Sequence, residues 1–459
     1  MGTSFPLRQG SKSDMTSPAH SSRSAEALPP FLYPLPADTE PDWLKDLRAR
    51  AFDIYHAHGL PTRRHEAWRY TDLSFLAETP FTPSPSVTLD RNGLESAEIL
   101  SFSAPRIVLV NGHFCEHLSN LSALELGISI QGFDASPPDS VRSALERGSL
   151  SRALDTFPMA ALNTALFQSG LVITVEPGVA IRTPIHVVSL ALSSHGPHFS
   201  VPRIVVHLQK GASLSLVESL GSLGAEPTFA NSVTSVLLDE GAHLSTTRLV
   251  RERPDSSRIE TTLADLGPDA RYDNLTLVFG GRLVRNEVYA TLNGAGAHAE
   301  VRGIYGARTG EHVDNTIFVD HVAPQATSGQ LFKGVLGGTG RAVFQGRINV
   351  GRGASGTDGQ QLHKAMLLSR GAEVDIKPEL YIYNDDVACS HGATVGELDE
   401  DALFYLQSRG LTREVARSLL VEAFLSDMLE VVSHAPLREA LESSINTWKQ
   451  DVLSAEHPS

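Results

Sequence analysis

The sequence predicts a mainly β chain built around a right-handed parallel β-helix core, flanked by N-terminal and C-terminal helical domains. Three observations carry that expectation. From about Leu171, short β-rich runs follow one another for more than 200 residues with no strong helical period between them. Pro-Gly and Gly-Ala turns separate many of them: Pro177-Gly178, Gly211-Ala212, Gly241-Ala242, Gly353-Ala354 and Gly371-Ala372. Clear helical periodicity is confined to the two ends. Short strands with frequent turns leave a sandwich, a propeller or a parallel β-helix. A propeller should carry a signature in every blade, and none is found. A β-helix tolerates irregular coils, because each rung only has to stack on its neighbours.

The chain has 459 residues, more than one ordinary core needs. The expected organisation is a disordered extension over 1–36, a mostly helical domain over 37–168, the β-helix over 169–395 and a helical domain over 396–459. The extension is rich in Ser and Pro and lacks an apolar h-region, so it does not read as a secretory signal. A net charge of -15 argues against a general nucleic-acid binder. Two cysteines, Cys115 and Cys389, cannot make a disulfide framework and favour a reducing compartment, here the cytoplasm. The longest apolar-leaning stretch, 157–175, is broken by Asn163, Thr164, Gln168 and Ser169, so no membrane span is expected.

Within the first domain, Trp43, Leu47, Ala51, Ile54 and Tyr55 recur at helical spacing, and Gly59 then Pro61 stop that helix. In the following stretch, 59–73, Trp68 and Tyr70 read as packing anchors. Ile107 to Val110 reads as a strand before the turn Asn111-Gly112. Residues 138–148 and 150–155 read as helices, and 160–167 as a helix or the approach to a strand. The β region holds strands at 171–175, 185–190, 204–208, 214–218, 233–238, 272–278, 343–350 and 374–383. Its histidines His312, His321 and His363 read as surface or turn residues, and Lys333, Arg341 and Arg347 as outward-facing cations.

After Gly396, Asp399 caps a helix carrying Leu403, Phe404 and Leu406. Thr412 caps a second, with Val415, Leu419, Leu420, Ala423, Phe424 and Val431 as its apolar face. Pro436 opens a third, with Leu437, Leu441, Ile445 and Trp448 on one side. Three such helices must cap the last coil, bind a partner, or both.

The candidate chemistry lies at the junction, in residues 385–396. On extended backbone Cys389 and His391 share a face, roughly 7 Å apart. Two donors are too few for a closed zinc site or an iron–sulfur cluster, so any metal would need ligands from another chain or from solvent. A buried thiol beside a hydrogen-bonded histidine is the plainer alternative. Asp385 and Asp386 suggest another alternative, a β-helix polysaccharide hydrolase, for which paired carboxylates are required. A purely structural β-helix is the third. No Walker motif occurs, so the chain does not read as an ATPase itself.

Several segments resemble the SufB/SufD family of iron–sulfur cluster assembly. They are Gln330-Leu331-Phe332-Lys333-Gly334-Val335-Leu336, Val343-Phe344-Gln345-Gly346-Arg347-Ile348, the run 367–380, Cys389-Ser390-His391-Gly392-Ala393-Thr394-Val395-Gly396, and the run 403–410. Residues 59–73 and Val110-Asn111-Gly112-His113-Phe114 are similar to the SufD branch. So is the Gly-Ala-Thr that follows His391. The resemblance implies a non-catalytic scaffold in a complex with a SufB-like paralogue, met through the β-helix, and a SufC-like ATPase, docked on the C-terminal helices. For the isolated chain a homodimer is the open option, and the charge and the lack of an apolar span leave neither nucleic acid nor membrane as an expected partner. The resemblance implies a transient iron–sulfur cluster at the shared interface, with His391 and Cys389 taking part, and a SufC surface at Phe404, Tyr405, Arg409, Gly410, Leu411, Leu419 and Phe424. The family has also been linked to reduced flavin, for which the sequence shows no motif.

Overall fold

A computed structural model describes residues 40–455, apart from 86–88, 98, 135–137, 139–141, 147–152 and 194. The extension expected to be disordered lies outside the described residues, as do parts of the two helices expected at 138–148 and 150–155. Helix Arg142–Glu146 and the helical residues 153–156 are described there.

From Ser169 to Glu397 the chain alternates between two sheets, and successive strands of each sheet pair in parallel. In-register parallel partners lie 26 to 33 residues apart, as in Ser257 with Leu283 and Gly170 with Arg203. The result is a parallel β-helix of about eight turns. Strands were expected at eight places in this region. The structure adds others, among them His243–Arg251, Ser257–Leu266, Leu283–Leu292, His298–Ala307, His312–His321, Thr327–Leu336 and Thr357–Leu367. These carry buried Thr, Asn, Arg and Glu, which weaken the apolar signal. Arg258, for example, is buried in an ion pair with Glu252 and another with Glu260 (2.8 Å).

One corner of the solenoid is built by stacked turns. Gly178, Gly211, Gly241, Asp269, Gly296, Gln325 and Gly356 all have positive φ, between 54° and 71°. Each donates its N–H to a carbonyl of the next turn, as Gly211 does to Glu240 and Gln325 to Ser355. Buried Ala212, Ala242, Ala270, Ala297 and Ala326 follow five of these positions and fill the narrow corner. Pro177-Gly178, Gly211-Ala212 and Gly241-Ala242 of the sequence are members of this series, whereas Gly353-Ala354 and Gly371-Ala372 are not. The series reads as irregular because Asp269 and Gln325 occupy the left-handed position where glycine is the usual choice.

The molecule is layered. Inward-facing residues of both sheets form the lumen core, from Ile107 and Leu171 through Val236, Ala264 and Ile317 to Phe344. The outer face of the first sheet is covered by the N-terminal helices. Trp43, Leu47 and Tyr55 of Asp42–His58 and Met159 and Leu162 of Pro158–Leu166 pack with Phe229, Ile259 and Phe318. The latter helix resolves the open reading of 160–167. The outer face of the second sheet is covered by the C-terminal helices, with Val421, Leu425, Leu441 and Trp448 against Leu249, Leu277 and Val335.

The two ends of the solenoid differ. Strands from the segment expected to be mostly helical, Arg106–Val110 and Ile128–Asp134, extend both sheets at the first end, and each is followed outward or flanked by an antiparallel pairing. Glu373–Ile382 and Val387–Glu397 end the two sheets at the other, each paired on one side. Their residues are half-buried or exposed along the whole length.

Candidate functional site

The open end carries the Cys389–His391 pair. Val387–Glu397 is an ordered strand, in register with Thr357–Leu367 so that Cys389 stands opposite Gly359, His391 opposite Gln361 and Ala393 opposite His363. Gly359, Gln361, His363 and Ala365 are the buried, inward residues of their strand. By the period of two, Cys389 and His391 face the mouth of the lumen. A Cβ on Gly359 would sit 3.5 Å from Cys389 Sγ and 3.2 Å from Ile348, so the thiol folds back over a residue that leaves it room. The thiol is half-buried and packs with Ile348, Leu380 and Val387. Burial pushes its pKa up, and Asp358 pushes the same way against a backbone N–H of Gly359. His391 is exposed.

Among the described residues, no group of three or more His, Cys, Asp and Glu is gathered closely enough to hold a metal ion. Cys389 and His391 are two potential donors on the same face of an edge strand. Asp385 and Asp386 lie in the exposed turn before the strand. The N–H of Asp386 donates to Asn384 Oδ1 (2.9 Å), and its carbonyl accepts from Gly356. Their place is in the stacked-turn corner.

Two of the three histidines expected at the surface are buried. His321 pairs with Ser328 Oγ (2.8 Å) and His363 with Tyr305 OH (2.8 Å). Burial lowers both rings to a pKa of about 4. Both stand on the lumen face of their strands, a placement set by parallel stacking that no local pattern records. His312 is half-buried, and burial lowers it too. The three cations do face outward. Arg347 pairs with Glu379 and lies over Phe318 and Tyr381, and Arg341 pairs with Glu373. Lys333 reaches the C-terminal helices, donating to the Phe424 carbonyl (2.9 Å) and to Asp427 (2.7 Å).

The C-terminal helices form with the predicted caps: Asp399 for Glu400–Ser408 and Thr412 for Arg413–Ser426. The apolar face assigned to the second helix requires correction. Ala416, Val421 and Leu425 pack inward, whereas Val415, Leu419 and Val431 are exposed. Both faces of this helix are apolar enough to be buried, and the solenoid takes the one that lets Lys333 reach its last turn. Phe404 is 73% and Tyr405 57% exposed. Arg409 stacks on Tyr405, Gly410 makes the turn with φ 92°, and Leu411 is half-buried. Of the residues expected to meet a partner, Phe404, Tyr405, Arg409, Gly410 and Leu419 lie exposed. Phe424 is half-buried beneath Lys333 (5.1 Å to the ring).

No described helix is long and apolar enough to cross a membrane. Residues 190–424 match the family model for the SUF system FeS cluster assembly SufBD core domain, and residues 37–187 match the SufBD protein N-terminal region. An iron–sulfur cluster assembly SufBD family protein of Synechocystis is 30% identical over 89% of this chain and 92% of its own length. The iron–sulfur cluster assembly protein SufD of Escherichia coli is 30% identical over 83% of this chain and 87% of its own. A chloroplastic protein of Arabidopsis thaliana, ABCI7, is 27% identical over 90% and 88%. Two matched models that together span nearly all the described residues, on a β-helix with helices at both ends, decide the assignment: the chain belongs to the SufBD family of iron–sulfur cluster assembly proteins.

Proposed function

We propose that the chain is a SufD-like scaffold subunit, not itself a catalyst, of the reducing cytoplasmic compartment. It would work in a complex with a SufB-like paralogue and a SufC-like ATPase. The observation that carries this reading is the two-donor set at an uncapped end. Among the described residues, the last rung of the lumen that Cys389 and His391 face has one unpaired edge in each sheet; in this reading a second chain would supply the donors that complete a cluster site. The nascent cluster is cargo of that shared interface. The exposed Phe404, Tyr405 and Leu419 would dock the ATPase, and Lys333 ties the end of the helix that carries Leu419 to the Thr327–Leu336 strand, two rungs from the edge. ATP-driven movement of the helices would thereby reach the rung that holds Cys389 and His391.

The test is His391→Ala in the reconstituted complex. Cluster formation should fall by more than the roughly tenfold that loss of an outer-shell partner costs, while the complex still co-purifies. Full cluster formation by this variant would remove His391 from the mechanism.

A further inference from the structure

The row of lumen residues beneath His391 is polar, unlike most of the lumen. In-register pairing runs Gln330, Gln361, His391 across three adjacent parallel strands. Neighbours in such a row stand about 4.8 Å apart, close enough for side-chain amides to form a ladder. Gln330 is 2% and Gln361 3% exposed. Gln330 Oε1, Gln361 Nε2 and Gln361 Oε1 are all buried without a hydrogen-bond partner in the protein. Three orphaned amide atoms in adjacent residues of one row call for an explanation.

The direction of the row is set from below. Gln330 Nε2 donates to the Arg347 carbonyl (3.4 Å), which leaves Oε1 as the free end. Room for that end comes from Gly346, where a Cβ would stand 2.7 Å from Gln330 Oε1. An acceptor at Gln330 calls for a donor above it, and Gln361 Nε2 is one. That choice turns Gln361 Oε1, an acceptor, toward the mouth. The next residue in the row is His391, whose ring offers an N–H.

We propose that Gln361 is the positioning residue of the half-site. Its Oε1 accepts from one ring nitrogen of His391, and Gln330 holds Gln361 in turn. The hydrogen bond fixes the tautomer and leaves the other ring nitrogen, with its lone pair, directed outward for a ligand. A neutral amide suits this task because it orients the ring without adding charge to a site that receives iron or sulfide. The inference rests on the half-site reading for its purpose; for its geometry it rests on the strand register and the unpaired amide atoms, since the structure of the single chain makes neither bond.

The experiment uses the full chain labelled with ¹⁵N-histidine, with His391→Ala to assign the His391 signals. In the native chain one tautomer should dominate at His391. Gln361→Met, close in volume and without the amide, should move those signals to the mixed positions of a free imidazole. Gln360→Ala, on the outward face of the same strand, should leave them in place. Gln330→Met, one rung deeper, should give a smaller shift in the same direction and serves if Gln361→Met does not fold. In the reconstituted complex Gln361→Met should lower cluster formation about tenfold, as loss of an outer-shell partner does. Unchanged His391 signals in both Met variants overturn the proposal. If the signals move but His391→Ala still forms clusters fully, Gln361 does orient the ring, and it is the half-site reading that falls.

Discussion

Arg285 shows how single residues join the outer layers to the solenoid. Its guanidinium is fully buried, pairs with Glu287 (2.8 Å) and Asp314, and lies 3.8 Å over the Trp68 ring. Arg285 and Gln345 both donate to the Ala67 carbonyl, and the Thr71 hydroxyl donates to Asp314. Lys377, on the last strand of the first sheet, pairs with Glu66 (2.5 Å). Residues 66–71, in which the sequence marks Trp68 and Tyr70 as packing anchors, thus form a strap across several rungs. Buried imidazoles give a prediction at the same scale. His186 and His321 have pKa values of about 4, lowered chiefly by burial from 6.5. Between pH 6.5 and 4 the unfolded chain binds protons at these rings that the folded chain does not, so stability falls as pH drops through that window. The loss is about 2 kcal/mol per ring by pH 5. Urea midpoints should therefore drop between pH 7 and pH 5, and His321→Asn should shrink the drop. An equal drop in the variant would refute the assignment for that ring.

At the scale of elements, the capped helices were readable from Asp399, Thr412 and Pro436, because capping is local chemistry. Which face each helix buries was not readable. Leu419 and Val421 are equally apolar, yet one faces solvent and the other Leu425 and the solenoid. The turn series gives the same lesson in another form. Its repeat is one of backbone conformation, so Asp269 and Gln325 hide it from a search by residue type. The exposed side of the C-terminal helices yields the second prediction. Phe404→Asp with Leu419→Asp should abolish pull-down of the SufC-like partner. The thermal midpoint should change little, since both side chains already face water. Retained pull-down would move the docking surface elsewhere.

At the scale of the whole molecule, the asymmetry of the solenoid decides where partners bind. One end is extended by Arg106–Val110 and Ile128–Asp134, while the other presents two unpaired strand edges and the exposed Leu362, Tyr381, Ile382 and Val395. An edge of this kind is a template for pairing with another chain. Val395→Lys puts a charge on the edge strand, four residues along from His391. It should block co-purification with the SufB-like paralogue and self-association of the isolated chain in sedimentation experiments. A variant that still pairs would show that the mouth is not the interface.

Local patterns were enough to read the β-helix, the helices at its ends, and Cys389 and His391 as a pair too small to close a site: runs and turns, capping residues, and spacing along one strand carry those features. Stacking of the rungs is what puts the pair at an open mouth, buries His363 below it and sets Gln330 and Gln361 in line with His391. Residues 330, 361 and 391 are some 30 apart in sequence. Parallel stacking makes them neighbours, and no local pattern records the register that does so.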